Sequence, residues 1–326
     1  DGAIYKFVVS DGPVGLRQPI DRTTTEQHDC IKSVAYPSFQ MLSQTWDTAL
    51  SYKMGKSLGN DCIEQKVDIL LAPGVNIKRL PTCGRNFEYL SEDPLIAGEF
   101  AKEYIEGVQS MHVGCALKHY CANNCERSRH WISSEVDERT LREIYIKPFE
   151  LACKAKPWTV MSAYNLVNGV RMSEHKKLYS LLREEFGFDG MIMSDWEAVK
   201  DSEASLNAGL DWEMPYNAEH QKQMLDKVDK LDAAKLDESA ARVIALAERC
   251  ESESKFRKSD MTLEQRRAVA LEIEEEGITL LKNDGALPIK GGKTVVTGAA
   301  AKNYYFGGGS SNVYPEREFE PLATAL

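Results

Sequence analysis

Polar residues that could do chemistry lie directly after short apolar runs at five places in the chain. They are Asp11 in SDGPVGLR, Arg85 and Glu88 in GRNFEYLSEDP, Lys118 and His119 in ALKHY, Tyr164 in MSAYN, and Asp195 with Trp196 in MSDW. In parallel α/β barrels, functional groups sit just beyond the C-terminal ends of the strands. Because burying charged side chains without partners is costly, packing alone explains this recurrence poorly, and we expect these residues to share one site.

Each of these residues also has a structural alternative when it is considered alone. Asp11 can be a turn residue before Gly-Pro, His119 a hydrogen-bonded core histidine, and Trp196 a packing residue. The pattern, and not any one residue, therefore points to chemistry.

The apolar runs that would position these residues are typical of strands. They are IYKFVV from Ile4, VDILLAP from Val67, GCALKHY from Gly114, WTVMSAY from Trp158 and GMIMSDW from Gly190. Their continuous apolar character indicates strands covered on both faces. Amphipathic segments alternate with them, which predicts an α/β fold with parallel strands joined by helices.

Two of the intervening segments predict helices with definable ends. The segment SSEVDERTLREIYIKPFELAC has apolar residues at helical spacing, and Ser134 with Asp137 resembles a capping box. The segment LYSLLREEFGFDG stacks its leucines on one face and is predicted to end at Gly187.

Composition changes near residue 250 and predicts two domains. Residues 1–250 form the first domain, and the polar stretch 251–264 is predicted to be a linker. Residues 265–326 predict a helix, a short strand, a turn and another strand, which would begin a second α/β domain. Since about 60 residues are fewer than a typical domain, we expect this domain to be truncated at Leu326.

The overall charge and cysteine pattern limit the partners. A formal net charge of -10 argues against nucleic acid and anionic membranes, because both favour clustered Lys and Arg. No run approaches the about 18 to 20 apolar residues that span a bilayer, and the first residues lack a signal-peptide layout. Eight cysteines without a CxxC pair favour reduced thiols and a cytoplasmic location, unless a missing N-terminus carried a signal.

The motifs resemble, in chain order, those of glycoside hydrolase family 3 in its β-glucosidase branch. The matching segments are SDGPVGLR, GRNFEYLSEDP, KHYCANNCERSR, TLREIYIKPFE and MIMSDWEAV, followed by EEGITLLKNDGALPI and FGGGSSNVYP. The resemblance implies a (β/α)8 TIM-like barrel, missing the helical segment that usually precedes the first strand, and then the first part of an α/β sandwich domain. The hexosaminidase branch fits less well, because it carries a His-bearing Gly-rich loop after its KH pair. Cys125 stands where the β-glucosidase branch commonly has glutamine.

The resemblance also implies roles for the matched residues. Asp195 matches the nucleophile, Tyr164 a tyrosine beside it and Trp196 an aromatic wall, while the sugar hydroxyls are held by Asp11, Arg85, Lys118, His119 and Arg129. These residue types suit a sugar, which presents many hydroxyls and apolar ring faces. Lys and Arg near Asp195 would keep its carboxylate ionised, as a nucleophile requires.

A retaining glycosidase also needs a second carboxyl group, about 5 to 5.5 Å from the first, as acid and then base. In the family it is a glutamate of the second domain, expected beyond Leu326, and the sequence assigns none here. Glu126, Glu197 and Glu213 are nearby carboxylates, for which we expect salt-bridge or hydrogen-bonding roles.

The expected activity is removal of terminal non-reducing β-D-glucosyl or β-xylosyl residues through a covalent glycosyl-Asp195 intermediate, without metal or organic cofactor. The substrate would be a β-linked oligosaccharide or an aryl or alkyl glycoside. The alternative is a catalytically incomplete sugar-binding fragment that lacks the acid/base domain.

Two other hypotheses come from local composition. His112, His119, His130, Cys121 and Cys125 lie close in sequence and could bind a metal, although no standard zinc spacing appears. The run GGGSS at 307–311 could cradle a phosphate, but it lacks the Gly-Lys-Ser/Thr ending and favours a tight turn.

Overall fold

Five short parallel strands lie side by side in the same order as in the chain. The computed structural model describes residues 4–21 and 29–325. The strands are β1 Val9–Ser10, β2 Ile69–Leu70, β3 Gly114–Tyr120, β4 Thr159–Ser162 and β5 Met191–Met193. Each lies within or overlaps one of the five runs predicted from the sequence, so the parallel α/β architecture is confirmed. Neighbouring parallel strands require crossover connections, which the helices provide.

The sheet continues beyond β5 and curves back toward β1. Met193 forms a parallel bridge with Trp212, whose ring centroid lies 4.8 Å from that of Phe7, just before β1. A small second sheet is formed by Ser133–Ser134, Leu166–Val167 and Val170–Arg171. The two edges of the main sheet therefore approach one another.

The helices pack around this sheet. They are α1 Phe39–Gln44, α2 Thr48–Glu64, α3 Pro94–Gln109, α4 Glu138–Thr140, α5 Lys147–Ala152, α6 Lys176–Glu184, α7 Ser202–Ala208, α8 Ala218–Asp226, α9 Ala233–Ser254, α10 Leu263–Gly277 and α11 Leu322–Ala325. Side-chain caps begin many of them, as at Asp93, which precedes Pro94 and accepts from the N–H of Leu95 at 2.7 Å. None of the helices in the described ranges is long and apolar enough to cross a membrane.

Two cores result from this arrangement. The larger one lies between the sheet and the helices, where α2 and α3 cross closely: a Cβ on Gly107 would lie 2.2 Å from the carbonyl oxygen of Tyr52. The smaller one includes Ile69, Ala116 and Met191, and Phe7 and Trp212 pack against it. All eight cysteines fall within the described residues and are free thiols there.

The predicted capping box at Ser134 and Asp137 is wrong. Asp137 is itself the N-cap and accepts from the N–H of Thr140 at 3.0 Å, because Ser134 is used in the second sheet. The helix is also broken by a π turn at Leu141–Tyr145, before Pro148, which has no N–H to donate and clashes with the preceding turn.

The predicted helix stop near Gly187 is confirmed with a small offset. The α6 helix ends at Glu184, and Gly187 follows with φ 68°. That left-handed conformation is readily available to glycine, which lets the chain turn toward β5.

The segment predicted as a linker is more structured than its composition indicates. It begins inside α9, which ends at Ser254, and ends inside α10. Between them, Asn60 Oδ1 accepts from the N–H groups of Asp260 at 2.7 Å and Met261 at 3.1 Å. Buried Val269 and Ile273 then place one face of α10 in the larger core.

The two strands predicted after α10 are wrong for the described residues. Residues 278–298 form no strand, and Leu281 and Val295 are 92% and 74% exposed. A strand needs a hydrogen-bonded neighbour, and the described part of the chain supplies none to this stretch.

Arg266 should hold α10 in place through a buried ion pair. Its side chain is 5% exposed, bonds to Asp61, and donates to both carboxylate oxygens of Glu64 at 2.8 Å. We predict that Arg266→Met lowers the free energy of unfolding by about 3–5 kcal/mol, because it leaves Asp61 buried and uncompensated. Urea titration measures the loss.

Lys53→Met is the matched control, since the Lys53–Glu272 pair is 47% and 39% exposed. An exposed pair contributes at most about 1 kcal/mol. Equal losses in the two variants would contradict the assigned role of Arg266.

Candidate active site

One pocket of about 640 Å³ opens at the C-terminal ends of the strands. Its lining includes Glu88 and all eight residues to which the resemblance gives roles: Asp11, Arg85, Lys118, His119, Arg129, Tyr164, Asp195 and Trp196. The structure therefore brings these residues together in one pocket.

The strand register explains how residues so far apart in sequence converge. Asp11 follows β1 directly, Lys118 and His119 lie near the end of β3, and Tyr164 and Asp195 each come two residues after a strand. Since parallel strands end at the same edge, these side chains meet there. Arg85 and Arg129 enter from the longer loops after β2 and β3.

Asp195 is a buried carboxylate with one oxygen left unsatisfied. It is 6% exposed, and its Oδ1 accepts from the N–H of Trp196 at 2.8 Å. Its Oδ2 makes no well-formed hydrogen bond; His119 Nε2 lies 3.5 Å away and Arg85 Nη1 3.9 Å away, and the hydroxyl of Tyr164 also interacts with the carboxylate. A buried polar atom without a partner is costly, so this oxygen is available to accept a hydrogen bond from a ligand or to bond to it.

The turn that presents Asp195 contains an uncommon backbone conformation. Glu197 has φ 62°, and its N–H donates to the carbonyl oxygen of Met214 at 2.9 Å. Non-glycine residues in the left-handed region cluster at functional sites, where surrounding contacts hold them.

His119 is a neutral side chain in this pocket. Burial, followed by the positive charges of Arg85 and Lys118, holds its pKa well below the usual range. The hydroxyl of Tyr89 lies 3.1 Å from His119 Nδ1. If this hydroxyl donates to Nδ1, Nε2 carries the proton and faces Asp195 as a neutral donor.

Glu88 joins two of the cations at the base of the pocket. It is 1% exposed, bonds to Arg85, and lies 3.4 Å from Lys118 Nζ, which is in turn 3.7 Å from Asp11 Oδ1. Burial alone would raise the pKa of Glu88, but the charges of Arg85 and Lys118 outweigh it and lower the pKa. Burial raises the pKa of Asp11, and Lys118 opposes this effect.

The opposite wall is built on Tyr164. The guanidinium carbon of Arg129 lies 4.1 Å from the centroid of the Tyr164 ring, and the His130 ring lies 4.5 Å from it. Burial and the negative charge of Asp195 raise the pKa of Tyr164, so its hydroxyl keeps its proton. Arg129 also pairs with Glu126 at 2.6 Å.

The expected roles of the nearby glutamates are confirmed for two of them. Glu126 forms the ion pair with Arg129, although it also lines the pocket, and Glu213 bonds to Ser202 and His220. Glu197 is exposed.

Sequence reasoning missed several lining residues: Phe87, Met161, Gly308, Gly309 and Ser311, besides the role of Glu88. The run at 307–311 is a tight turn, as favoured from its composition, and it also forms part of the pocket wall. Gly307 has φ 87°, and a Cβ there would lie 2.4 Å from the carbonyl oxygen of Ser311. The glycine run was the available signal, but its position against the pocket depends on tertiary contacts.

The metal hypothesis is not supported where the structure describes the chain. Within residues 4–21 and 29–325, no three His, Cys, Asp or Glu side chains come together as metal ligands. His112 instead contacts Glu253 at 2.7 Å, and burial raises the pKa of the Cys121 thiol.

Comparison with known proteins identifies the family. Residues 25–246 match the family model described as the glycosyl hydrolase family 3 N terminal domain. The chain therefore belongs to glycosyl hydrolase family 3.

The relatives within the family include proteins named as glycosidases. Over 96% of its length, the chain is 41% identical to thermostable β-glucosidase B of Acetivibrio thermocellus and covers 43% of that protein. Over 96% of its length, it is also 40% identical to exo-α-(1→6)-L-arabinopyranosidase of Bifidobacterium longum and covers 44% of that protein. Over 95% of its length it aligns with the structure of β-glucosidase 3B from Thermotoga neapolitana in complex with α-D-glucose, with a TM-score of 0.83, 37% identity and 45% coverage of that chain. The chain thus spans less than half the length of each.

The neutral state of His119 predicts how stability depends on pH. Histidine in an unfolded chain takes up a proton near pH 6.5, whereas folded His119 does so only at lower pH. The contribution of this difference to the free energy of unfolding is fully present above about pH 6.5. It is lost as the pH falls toward the pKa of folded His119.

We therefore expect the unfolding free energy of the wild type to fall more steeply below pH 6.5 than that of His119→Gln, by up to about 1.4 kcal/mol per pH unit. Denaturant titrations at several pH values measure both slopes. Parallel slopes would mean that folding does not lower the pKa of His119.

Proposed function

We propose that Asp195 is the nucleophile of a retaining glycosidase acting on terminal, non-reducing β-linked pyranosides, glucose first and xylose second. The observation that carries this proposal is the buried, unpartnered Oδ2 of Asp195 in a pocket rich in hydrogen-bonding groups. The family membership and the β-glucosidase relatives support it.

The proposed first step forms one bond and breaks another. An electron pair of Asp195 Oδ2 forms the ester bond to the anomeric carbon, and the bond to the leaving-group oxygen breaks with its electrons staying on that oxygen. Water then hydrolyses the ester and releases the sugar with retained configuration. Arg85 and the N–H of His119 lie near Oδ2 and would orient it for attack.

The remaining polar groups would hold the sugar hydroxyls. Lys118 and the two arginines donate hydrogen bonds, and Asp11 offers carboxylate oxygens. Glu88 would position Arg85 and Lys118 without touching the sugar, since it pairs with both. The rings of Tyr164 and Trp196 would cover apolar faces of the sugar.

An alkoxide leaving group needs a proton from a general acid. Glu88 is poorly suited to supply it, because Arg85 and Lys118 lower its pKa and favour the ionised form. Glu126 is committed to Arg129. The acid/base is therefore proposed to be a glutamate of the second domain, as the family resemblance implies, and the alternative is a sugar-binding chain without one.

We also propose that the sheet closes into a (β/α)8 barrel over 1–250 and that 265–326 begins an α/β sandwich domain. The contact between Phe7 and Trp212 and the bridge at Met193 support closure. The exposed apolar side chains of Leu281 and Val295 suit a surface that another part of a domain covers.

A trapping reaction tests the nucleophile. We predict that 2,4-dinitrophenyl 2-deoxy-2-fluoro-β-D-glucoside labels Asp195, because this leaving group departs without a proton. Peptide mass spectrometry locates the added mass. Asp195→Asn should lower the labelling rate by roughly 10⁴-fold or more.

Glu197→Gln is the matched control, since Glu197 lies in the same peptide and is exposed. It should label like the wild type, whereas a label on another residue would overturn the assignment of Asp195. An alkyl glucoside then separates the two candidate functions. Turnover of the alkyl glucoside requires a general acid and would indicate a working glycosidase. Labelling of Asp195 without turnover of the alkyl glucoside would indicate the sugar-binding chain that lacks a general acid.

The preferred sugar can be tested with three dinitrophenyl glycosides of equal leaving group. We expect kcat/KM to be highest for β-D-glucoside and roughly tenfold or more lower for β-D-xyloside, which lacks the hydroxymethyl contact. The α-L-arabinopyranoside is included because a relative acts on that linkage. If it were the best substrate, the pocket would be built for an axial 4-hydroxyl and the glucose proposal would be wrong.

A further inference from the structure

A large aromatic side chain stands exposed next to the pocket. Trp131 is 68% exposed, and it directly follows His130, whose ring contacts the pocket residue Tyr164. The indole is not part of the pocket lining. An aromatic side chain left open to water beside a binding pocket is a candidate for ligand contact.

The position of Trp131 is held by its neighbours. The backbone N–H of Trp131 donates to the carbonyl oxygen of Ser128 at 2.8 Å. Arg171 lies 5.3 Å from the ring centroid and donates to the carbonyl oxygen of His130 at 2.9 Å. Because these contacts already restrict Trp131, a ligand that binds to it costs less conformational entropy.

A second cation ties Trp131 to the turn that carries the proposed nucleophile. Lys200 Nζ lies 5.8 Å from the Trp131 ring centroid and donates to the carbonyl oxygen of Glu197 at 2.9 Å. Glu197 is two residues after Asp195. The indole is therefore beside the pocket, and two cations lie over its ring; each has N–H groups besides the one that bonds a backbone carbonyl oxygen.

We propose that Trp131 forms a second subsite, which stacks on the leaving-group pyranose of a β-linked disaccharide. This inference rests on the proposed function, which places the first sugar ring in the pocket at Asp195. A pyranose ring has an apolar face of C–H groups and a rim of hydroxyls. The indole would pack on the face, and Arg171 and Lys200 would donate to the rim.

Binding measurements without turnover test the subsite. The ligands are glucose, which fills the pocket alone, and thiocellobiose, whose sulfur-linked second ring resists hydrolysis. Isothermal titration gives the Kd of each ligand for the wild type, Trp131→Ala and Trp131→Phe. Trp46→Ala is the matched control, because Trp46 is 78% exposed and is not among the pocket-lining residues.

We expect Trp131→Ala to weaken thiocellobiose binding by about fivefold to twentyfold and to leave the Kd of glucose within about twofold. Trp131→Phe should keep most of the affinity, since it retains a flat ring. Trp46→Ala should leave both ligands unaffected.

Three results would overturn this inference. Unchanged thiocellobiose affinity in Trp131→Ala would do so, as would an equal loss for both ligands, which indicates a distorted pocket. A lowered melting temperature with unchanged affinities would show a packing role instead. If the wild type bound neither sugar, the proposed function itself would fail, and the subsite with it.

Discussion

The arrangement of the pocket depends on one buried carboxylate, that of Glu88. Two cations, Arg85 and Lys118, lie in a nearly dry environment, and Arg85 Nη1 also lies 3.9 Å from Asp195 Oδ2. Without a compensating charge, the desolvation of either cation would be strongly unfavourable. Glu88 supplies that charge and also fixes where both cations point. The donors are therefore positioned before any ligand arrives, which removes part of the entropic cost of binding.

The parallel sheet determines which residues can join this group. Five strands in chain order end at one edge, so residues from Asp11 to Asp195 meet within a single pocket. The chemistry is then divided between strands and loops. Strand ends carry Asp11, Lys118 and Asp195, and the loops add Arg85 and Arg129 to the pocket lining.

The features that could be predicted from the sequence are those determined locally. Continuous apolar runs identified the five strands, and the polar residues after them identified the pocket. Local patterns failed where tertiary contacts decide the outcome. Ser134 pairs in a sheet in preference to capping a helix, and the polar stretch before α10 is held by Asn60. The bridging position of Glu88 and the wall at residues 308–311 likewise depend on neighbours distant in sequence.

Because residues 308–311 form part of the pocket wall, ligand binding in the pocket is coupled to the docking of the C-terminal segment on the first domain. The first domain holds this turn against the pocket: Arg17 donates to the carbonyl oxygen of Gly309, and the N–H of Ser33 donates to the carbonyl oxygen of Tyr314 at 2.8 Å. A ligand that contacts this wall binds the docked arrangement more tightly than an undocked one. By thermodynamic linkage, occupancy of the pocket and docking of the C-terminal segment must then strengthen one another by the same free energy.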